Sequence, residues 1–447
     1  MADDLLAIGD RVVADARPGE RVEVYVVRSR DTNVRVYDGE VEQLASAQSQ
    51  GVGIRVVREG RQGFAYAGSL DEDVVRETLA EARDNTAFGE PDADVGPADP
   101  DGVAPPELDL WSDDLAGTPT VDKIELAREL ERLAVAADPR VSTESSDYAD
   151  TMVEGAVVTS TGIRIAGRES GCYLVVSTLA SQGDETQTGF GFSVARRLAD
   201  LDVAQAAADG AERATRLLGA MKPPTSRLTV VLDPWVTAQL LSVLSATMTG
   251  EAVLKGRSLF AGREGEAVAA ELVTLIDDPT NPLAFTATAF DGEGLATRRN
   301  VLIRDGVLQG FVHDSWSGRR SGTGSTGSAV RAGFKSTPTS GCMALSLQPG
   351  TATQAELLAK VGDGVLVQGV SGLHSGVNPV SGDFSTGAEG LRIRGGELGE
   401  PLREFTIGST LQRILHDVVA VGGDVQWLPM DAAGVSLVVA DVTISGI

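Results

Sequence analysis

Among the residues that could do chemistry, the most suggestive spacing is Gly322-Thr323-Gly324-Ser325-Thr326-Gly327, a literal G-x-G-x-x-G. Such glycines let a strand turn tightly into a helix whose N-terminus cradles a dinucleotide pyrophosphate. That chemistry needs an apolar strand before the motif, a helix after it and an acid about 20 residues on. Here Asp314 to Arg320 are mostly polar, no helical period follows, and residues 315–355 hold no Asp or Glu. The dinucleotide reading fails on all three counts. The acid-free window keeps an interest of its own, because its only charges are Arg319, Arg320, Arg331 and Lys335. With glycines that expose backbone N–H groups, these four are candidate ligands for an anion such as a peptide carboxylate. The alternative is a solvated Gly/Ser loop with ordinary surface cations.

Other reactive types are sparse. Ser371, His374 and Asp383 are close in sequence, but a hydrolytic triad requires convergence in space, and no G-x-S-x-G elbow is present. The three histidines, His313, His374 and His416, include no pair at the i, i+4 spacing of a zinc helix. Cys172 and Cys342 lie 170 positions apart with no neighbouring ligand, which excludes a disulfide framework and a four-Cys zinc site. No metal ligand set is expected in this chain.

The elements that would position such residues follow from the wider pattern. A length of 447 residues predicts two or three domains. A net charge of −26 argues against nucleic acid or an anionic membrane surface as partner, since both demand a basic face. No apolar run reaches 18 residues, and the start Met1-Ala2-Asp3-Asp4 lacks the basic region of a signal peptide, so a cytoplasmic location is expected. Apolar spacing predicts a helix over residues 4–16. Alternating Val22, Val24, Val26 and Val52, Ile54, Val56, with turns at Asp38-Gly39 and Glu59-Gly60, predict an antiparallel meander, and a helix follows over 71–86. Residues 88–119 hold nine acids, six prolines and no Lys or Arg, which reads as an extended linker or surface wrap. A helix capped by Thr120, strands over 151–194, a helix over 195–218 and a Pro-initiated helix over 234–248 come next, then mostly strands with helices near 355–361 and 409–419. The expected class is α+β: an N-terminal α/β meander region and a larger, mostly antiparallel C-terminal β domain with helices. The expected boundaries are a helix–meander–helix domain over 1–89, an acidic Pro-rich linker over 90–119, a second α+β subdomain over 120–222 and a C-terminal domain over 223–447.

With these residues laid out, the sequence resembles the TldD/PmbA family, also known as the modulator of DNA gyrase family, over nearly its whole length. Gly51-Val52-Gly53-Ile54-Arg55-Val56, Gly63-Phe64-Ala65-Tyr66 and the turn Thr159-Ser160-Thr161-Gly162 fit its first two domains. The most distinctive blocks are Gly250-Glu251-Ala252-Val253-Leu254-Lys255-Gly256-Arg257-Ser258-Leu259 and Asn378-Pro379-Val380-Ser381-Gly382-Asp383-Phe384. From these blocks Gly250, Glu251, Lys255, Gly256, Arg257, Asn378, Gly382, Asp383 and Phe384 are carried as family-motif residues. TldD-like members bind a catalytic metal through H-E-x-x-x-H and a C-terminal Cys. Counted back from Ser258-Leu259, the corresponding positions fall near Leu241, Ser242 and Ala246, and no Cys stands between Asp424 and Ile447. None of these can supply an imidazole, a thiolate or a carboxylate general base. The resemblance therefore implies the family's metal-free kind of subunit, the TldE or PmbA type, with a pseudo-active site and no catalytic residue or cofactor of its own. It implies a heterodimer with a TldD-like partner that carries zinc and cleaves unfolded peptides or peptide precursors; without that partner a homodimer can form. An independent peptide-binding or chaperone-like module is the alternative.

Overall fold

The computed structural model describes residues 2–447 and is built around two sheets with helices packed on them. Helix α1 (Ala2–Ala14) leads into three long strands, β1 (Glu20–Tyr37), β2 (Glu40–Arg58) and β3 (Arg61–Ala67), then α2 (Glu72–Asn85). Asp38-Gly39 and Glu59-Gly60 make the two hairpin turns, and all four residues take positive φ, the conformation tight hairpins require. After a short helix α3 (Asp113–Gly117) and the long α4 (Thr120–Ala137) come β4 (Val141–Thr159), β5 (Arg164–Gln182), β6 (Glu185–Ala195) and α5 (Val203–Thr215). The six strands form one antiparallel sheet in the order β3-β2-β1-β4-β5-β6, so β1 pairs with β4 from Glu23↔Thr159 to Val36↔Ser146. The stretches 1–89 and 120–222 thus contribute three strands each to a single sheet.

Side chains alternate across this sheet, and the two faces have different duties. Val22, Val24, Val26, Val52, Ile54 and Val56 bury against Leu5, Ile8 and Val12 of α1 and Val75 and Leu79 of α2. Val34, Val36, Tyr148, Leu174 and Val176 bury against α4 and α5. The residues between them, including Glu23, Arg55, Gly167 and Gly171, face the C-terminal domain.

That domain begins with β7 (Ser226–Leu232) and α6 (Pro234–Ser245), where the Asp233 carboxylate caps α6 by accepting from the Trp235 N–H and Pro234 fills the first helical position. Its main sheet orders strands 397–410, 383–394, 364–371, β7, 437–445 and 418–421; only the pairing of 364–371 with β7 is parallel. The chain is mixed α+β with mainly antiparallel sheet, as expected. Two short helices matter below, α7 (Gly250–Leu254) and α8 (Ser315–Ser321).

Several element ends differ from the sequence expectation, each for a local reason. Thr120 does not cap α4 but is its first residue, after an extended Pro119. The helix expected over 195–218 starts only at Val203, because Ala195 still pairs with Cys172 and the Asp202 side chain caps from the Gln205 N–H. The helix expected to reach Met248 stops at Ser245, and Thr249 then caps α7. The helix expected over 409–419 shrinks to Leu411–His416, its flanks being strand.

The acidic stretch 88–119 is a strap laid across both halves. The Asp92 carboxylate accepts from Trp316 Nε1 at 2.9 Å, Asp99 pairs with Arg21 at 3.0 Å and Asp101 with Arg298 at 2.5 Å. Ala98 is fully buried, and Leu110 packs on Ala284, Ala287 and Ala344 of the C-terminal domain. Carboxylates that could not form a core instead meet arginines supplied by the surfaces they cross.

Candidate functional site

Three of the four cations of the acid-free window are engaged internally, and their partners lie apart. Arg319 donates to the carbonyls of Asp94, Gly96 and Pro97 at 2.7–3.3 Å, and Arg320 pairs with Asp92 and Asp94; both hold the strap to α8. Arg331 donates to the Gly292 and Ser336 carbonyls and pairs with Glu23. Lys335 stands over the Phe334 ring. The four do not converge on one anion. The G-x-G-x-x-G follows helix α8 and precedes a two-residue strand at Ala329, the reverse of the dinucleotide order, and Gly322, Gly324 and Gly327 all take left-handed φ of 68–78°.

Behind Arg331 lies a buried charge network. Arg55 donates to Glu23 at 2.5 Å and to Glu293 at 3.2 Å, with all three side chains at most 5% exposed. Burial works against ionising Glu23, but Arg55 and Arg331 together hold its carboxyl below the usual range. Nothing in the sequence announces this group, since Arg55 and Glu293 are 238 positions apart. It fastens the sheet to the C-terminal domain.

The positions expected from the resemblance to stand in place of a metal helix lie at the end of α6. Leu241 is buried in the main core, Ser242 is half-buried and Ala246 is exposed. Ser242 Oγ donates to Asp431 Oδ1 at 2.5 Å, and Ser245 Oγ lies 3.3 Å from Oδ2 of the same carboxylate. Cys342 Sγ sits 4.0 Å from the Ser245 carbonyl, and burial, with Asp277 and Asp431 nearby, pushes its thiol well up. Asp277 accepts from the N–H groups of Met343 (2.8 Å) and Ala344 (2.7 Å); burial pushes its carboxyl up to about 6. Asp431 and Asp277 were not marked by any sequence pattern. A zinc ion does not fit this arrangement: it asks for three or more imidazole, thiolate or carboxylate donors around one point, and no such group exists among the described residues. Burial disfavours the thiolate, and Asp431 Oδ1 already accepts from Ser242, while the Ser245 hydroxyl donates to the Ser242 carbonyl at 2.7 Å.

The remaining candidates have structural duties. His313 is buried with Nδ1 3.2 Å from Ser317 Oγ, and burial lowers its pKa. Its ring lies so close to Gly250 that a Cβ there would meet Nδ1 at 2.1 Å, which explains that glycine. Glu251 pairs with Lys255 one turn on, Gly256 (φ 64°) ends the helix, and the Arg257 N–H closes the turn on the Ala252 carbonyl. Asn378 Oδ1 accepts from the N–H groups of Val380 and Ser381, Gly382 takes φ 84°, the Asp383 carboxylate accepts from Ser381 Oγ, and Phe384 enters the core. Ser371 and His374 are exposed, and no hydrogen bond joins them to each other or to Asp383.

Comparison with known proteins agrees along the whole chain. Residues 22–86 match PmbA/TldA metallopeptidase domain 1, residues 113–218 the central domain and residues 225–446 the C-terminal domain. A metalloprotease of Methanothermobacter thermautotrophicus is 29% identical over 94% of this chain and 90% of its own. Metalloprotease PmbA of Escherichia coli O157:H7 is 26% identical over 90% and 88%. The crystal structure of TldE from Thermococcus kodakarensis covers 100% of both chains at a TM-score of 0.91 and 25% identity.

Proposed function

The chain belongs to the PmbA/TldD metallopeptidase family, and we propose that within it this is a TldE-type, non-catalytic subunit of a heterodimeric peptidase. The observation that carries the reading is the α6 pseudo-site, where Leu241, Ser242 and Ala246 stand in place of a ligand set and Asp431 accepts a hydrogen bond from Ser242. A TldD-like partner supplies zinc and general base. This chain supplies part of the enclosing wall and substrate grip, and the substrates are unfolded peptides or peptide precursors, handled in the cytoplasm. The likeness to TldE of Thermococcus kodakarensis supports the choice of subunit type. Among the described residues no helix is long and apolar enough to cross a membrane.

The test is reconstitution. The purified chain alone leaves a fluorogenic unfolded peptide intact; mixed with a TldD-like chain carrying H-E-x-x-x-H, it forms a 1:1 complex that cleaves the peptide. Cleavage by the chain alone, or a partner fully active without it, overturns the proposal.

A further inference from the structure

Between the six-stranded sheet and the C-terminal domain lies a cavity of about 380 Å³, within the size range of small-ligand pockets. Its floor is β5, where Gly167, Glu169 and Gly171 point the same way because alternate residues share a face. The glycines are fitted to aromatic rings. A Cβ at Gly167 would lie 2.7 Å from Phe290, and one at Gly171 2.4 Å from Phe285. One phenyl ring therefore rests on the strand to either side of Glu169, and the carboxylate stands between them. Tyr173 braces Phe285 edge-on at 6.5 Å.

The other charges lining the cavity are committed. Arg196 donates to the carbonyls of Ser170, Ala284 and Phe285. Arg331 is held by two carbonyls and Glu23. The Asp291 carboxylate accepts from the N–H groups of Glu293, Leu295 and Ala329. The Thr288 hydroxyl stands within reach of both Glu169 and the Phe290 carbonyl, the latter at 3.0 Å. Burial pushes the Glu169 carboxyl up, against the weaker pull of Thr288 and the Arg196 charge, and no cation closes on it within ion-pair distance among the described residues. A carboxylate left without a counter-charge in a partly desolvated cavity calls for a cation, and the apolar rings on both sides favour one carried on an apolar body. Val153, Val330 and Met343 line the rest with apolar surface.

We propose that this cavity binds a primary ammonium group carried on an apolar body, with Glu169 as counter-ion and Phe285 and Phe290 flanking it. The site is complete within one chain and does not depend on the subunit role above. A peptide N-terminus and a free aromatic amine share this chemistry.

Calorimetric titration of the full chain with phenylalaninamide, phenethylamine and N-acetylphenylalaninamide tests it. Saturable binding of a free amine is expected, with the acetylated probe weaker by at least about tenfold, or about 1.4 kcal/mol. Glu169→Gln keeps the shape and should weaken amine binding by a similar factor. Tighter binding of phenylalaninamide than of phenethylamine identifies a peptide N-terminus; equal binding identifies the free amine. Absence of saturable binding by either amine, equal binding of the acetylated probe, or undiminished binding by a folded Glu169→Gln variant overturns the proposal. Should that variant not fold, the comparison of acetylated and free probes on the unaltered chain decides alone.

Discussion

Arg55 holds its guanidinium between two carboxylates that water does not reach, Glu23 on a neighbouring strand and Glu293 in the C-terminal domain. Removing it strands Glu293 and leaves Glu23 with Arg331 alone, and breaking a buried pair costs about 3–5 kcal/mol. Arg55→Met is therefore expected to lower the urea midpoint steeply with little change in slope; a shift within error of zero would show that the network carries no stability. Asp277 gives a pH-dependent counterpart. Its folded-state pKa of about 6 exceeds the ordinary 3.8, so the folded chain holds a proton that the unfolded chain releases in that window. Stability from this group falls as pH rises through the window and stays lost above it. Asp277→Asn, which keeps the acceptor for Met343 and Ala344, should gain up to about 3 kcal/mol over the parent above pH of about 6, and nothing near pH of about 4. Urea titrations at the two pH values check the sign. Neither group was legible in the sequence, because a buried ion pair depends on which distant residues the fold brings together. What the sequence does show at Leu241, Ser242 and Ala246 is the residue types themselves, none of which is an imidazole, thiolate or carboxylate.

At the scale of elements, the strap and α8 depend on each other. Arg319 satisfies three strap carbonyls and Arg320 meets two strap carboxylates. Arg319→Ala should free residues 92–97 and speed protease cleavage there, while costing only about 1–2 kcal/mol of global stability because the core is untouched. Unchanged cleavage would mean that Trp316 and Ala98 suffice to hold the segment. The sequence carried half of this interaction: the composition of 88–119 marked a segment without a core of its own, but the arginines that receive it read as candidates for an external anion. The strands and their turns were legible because Val22, Val24 and Val26 alternate and Asp38-Gly39 and Glu59-Gly60 favour positive φ. Helix ends were less so; the Ala-rich run after Ala195 looks helical, yet pairing with Cys172 keeps its first residue in the sheet.

At the scale of the whole molecule, two sheets joined by a strap and a buried charge network leave Ser242, at the end of α6, hydrogen-bonded to the Asp431 carboxylate. Ser242→Ala should leave the Asp431 carboxylate short of one donor and destabilise the chain by about 1–3 kcal/mol, without altering cleavage by the reconstituted complex. Loss of cleavage in a stably folded Ser242→Ala complex would give this position a catalytic part. The shared sheet could not be foreseen from the linear order, because β1 pairs with β4 across the strap and two helices. The most direct measurement is the metal content of the chain purified without a partner, after exposure to excess zinc and gel filtration. Zinc far below one equivalent is expected; about one zinc retained per chain, and lost on substituting Asp431 and Cys342, would contradict the non-catalytic assignment.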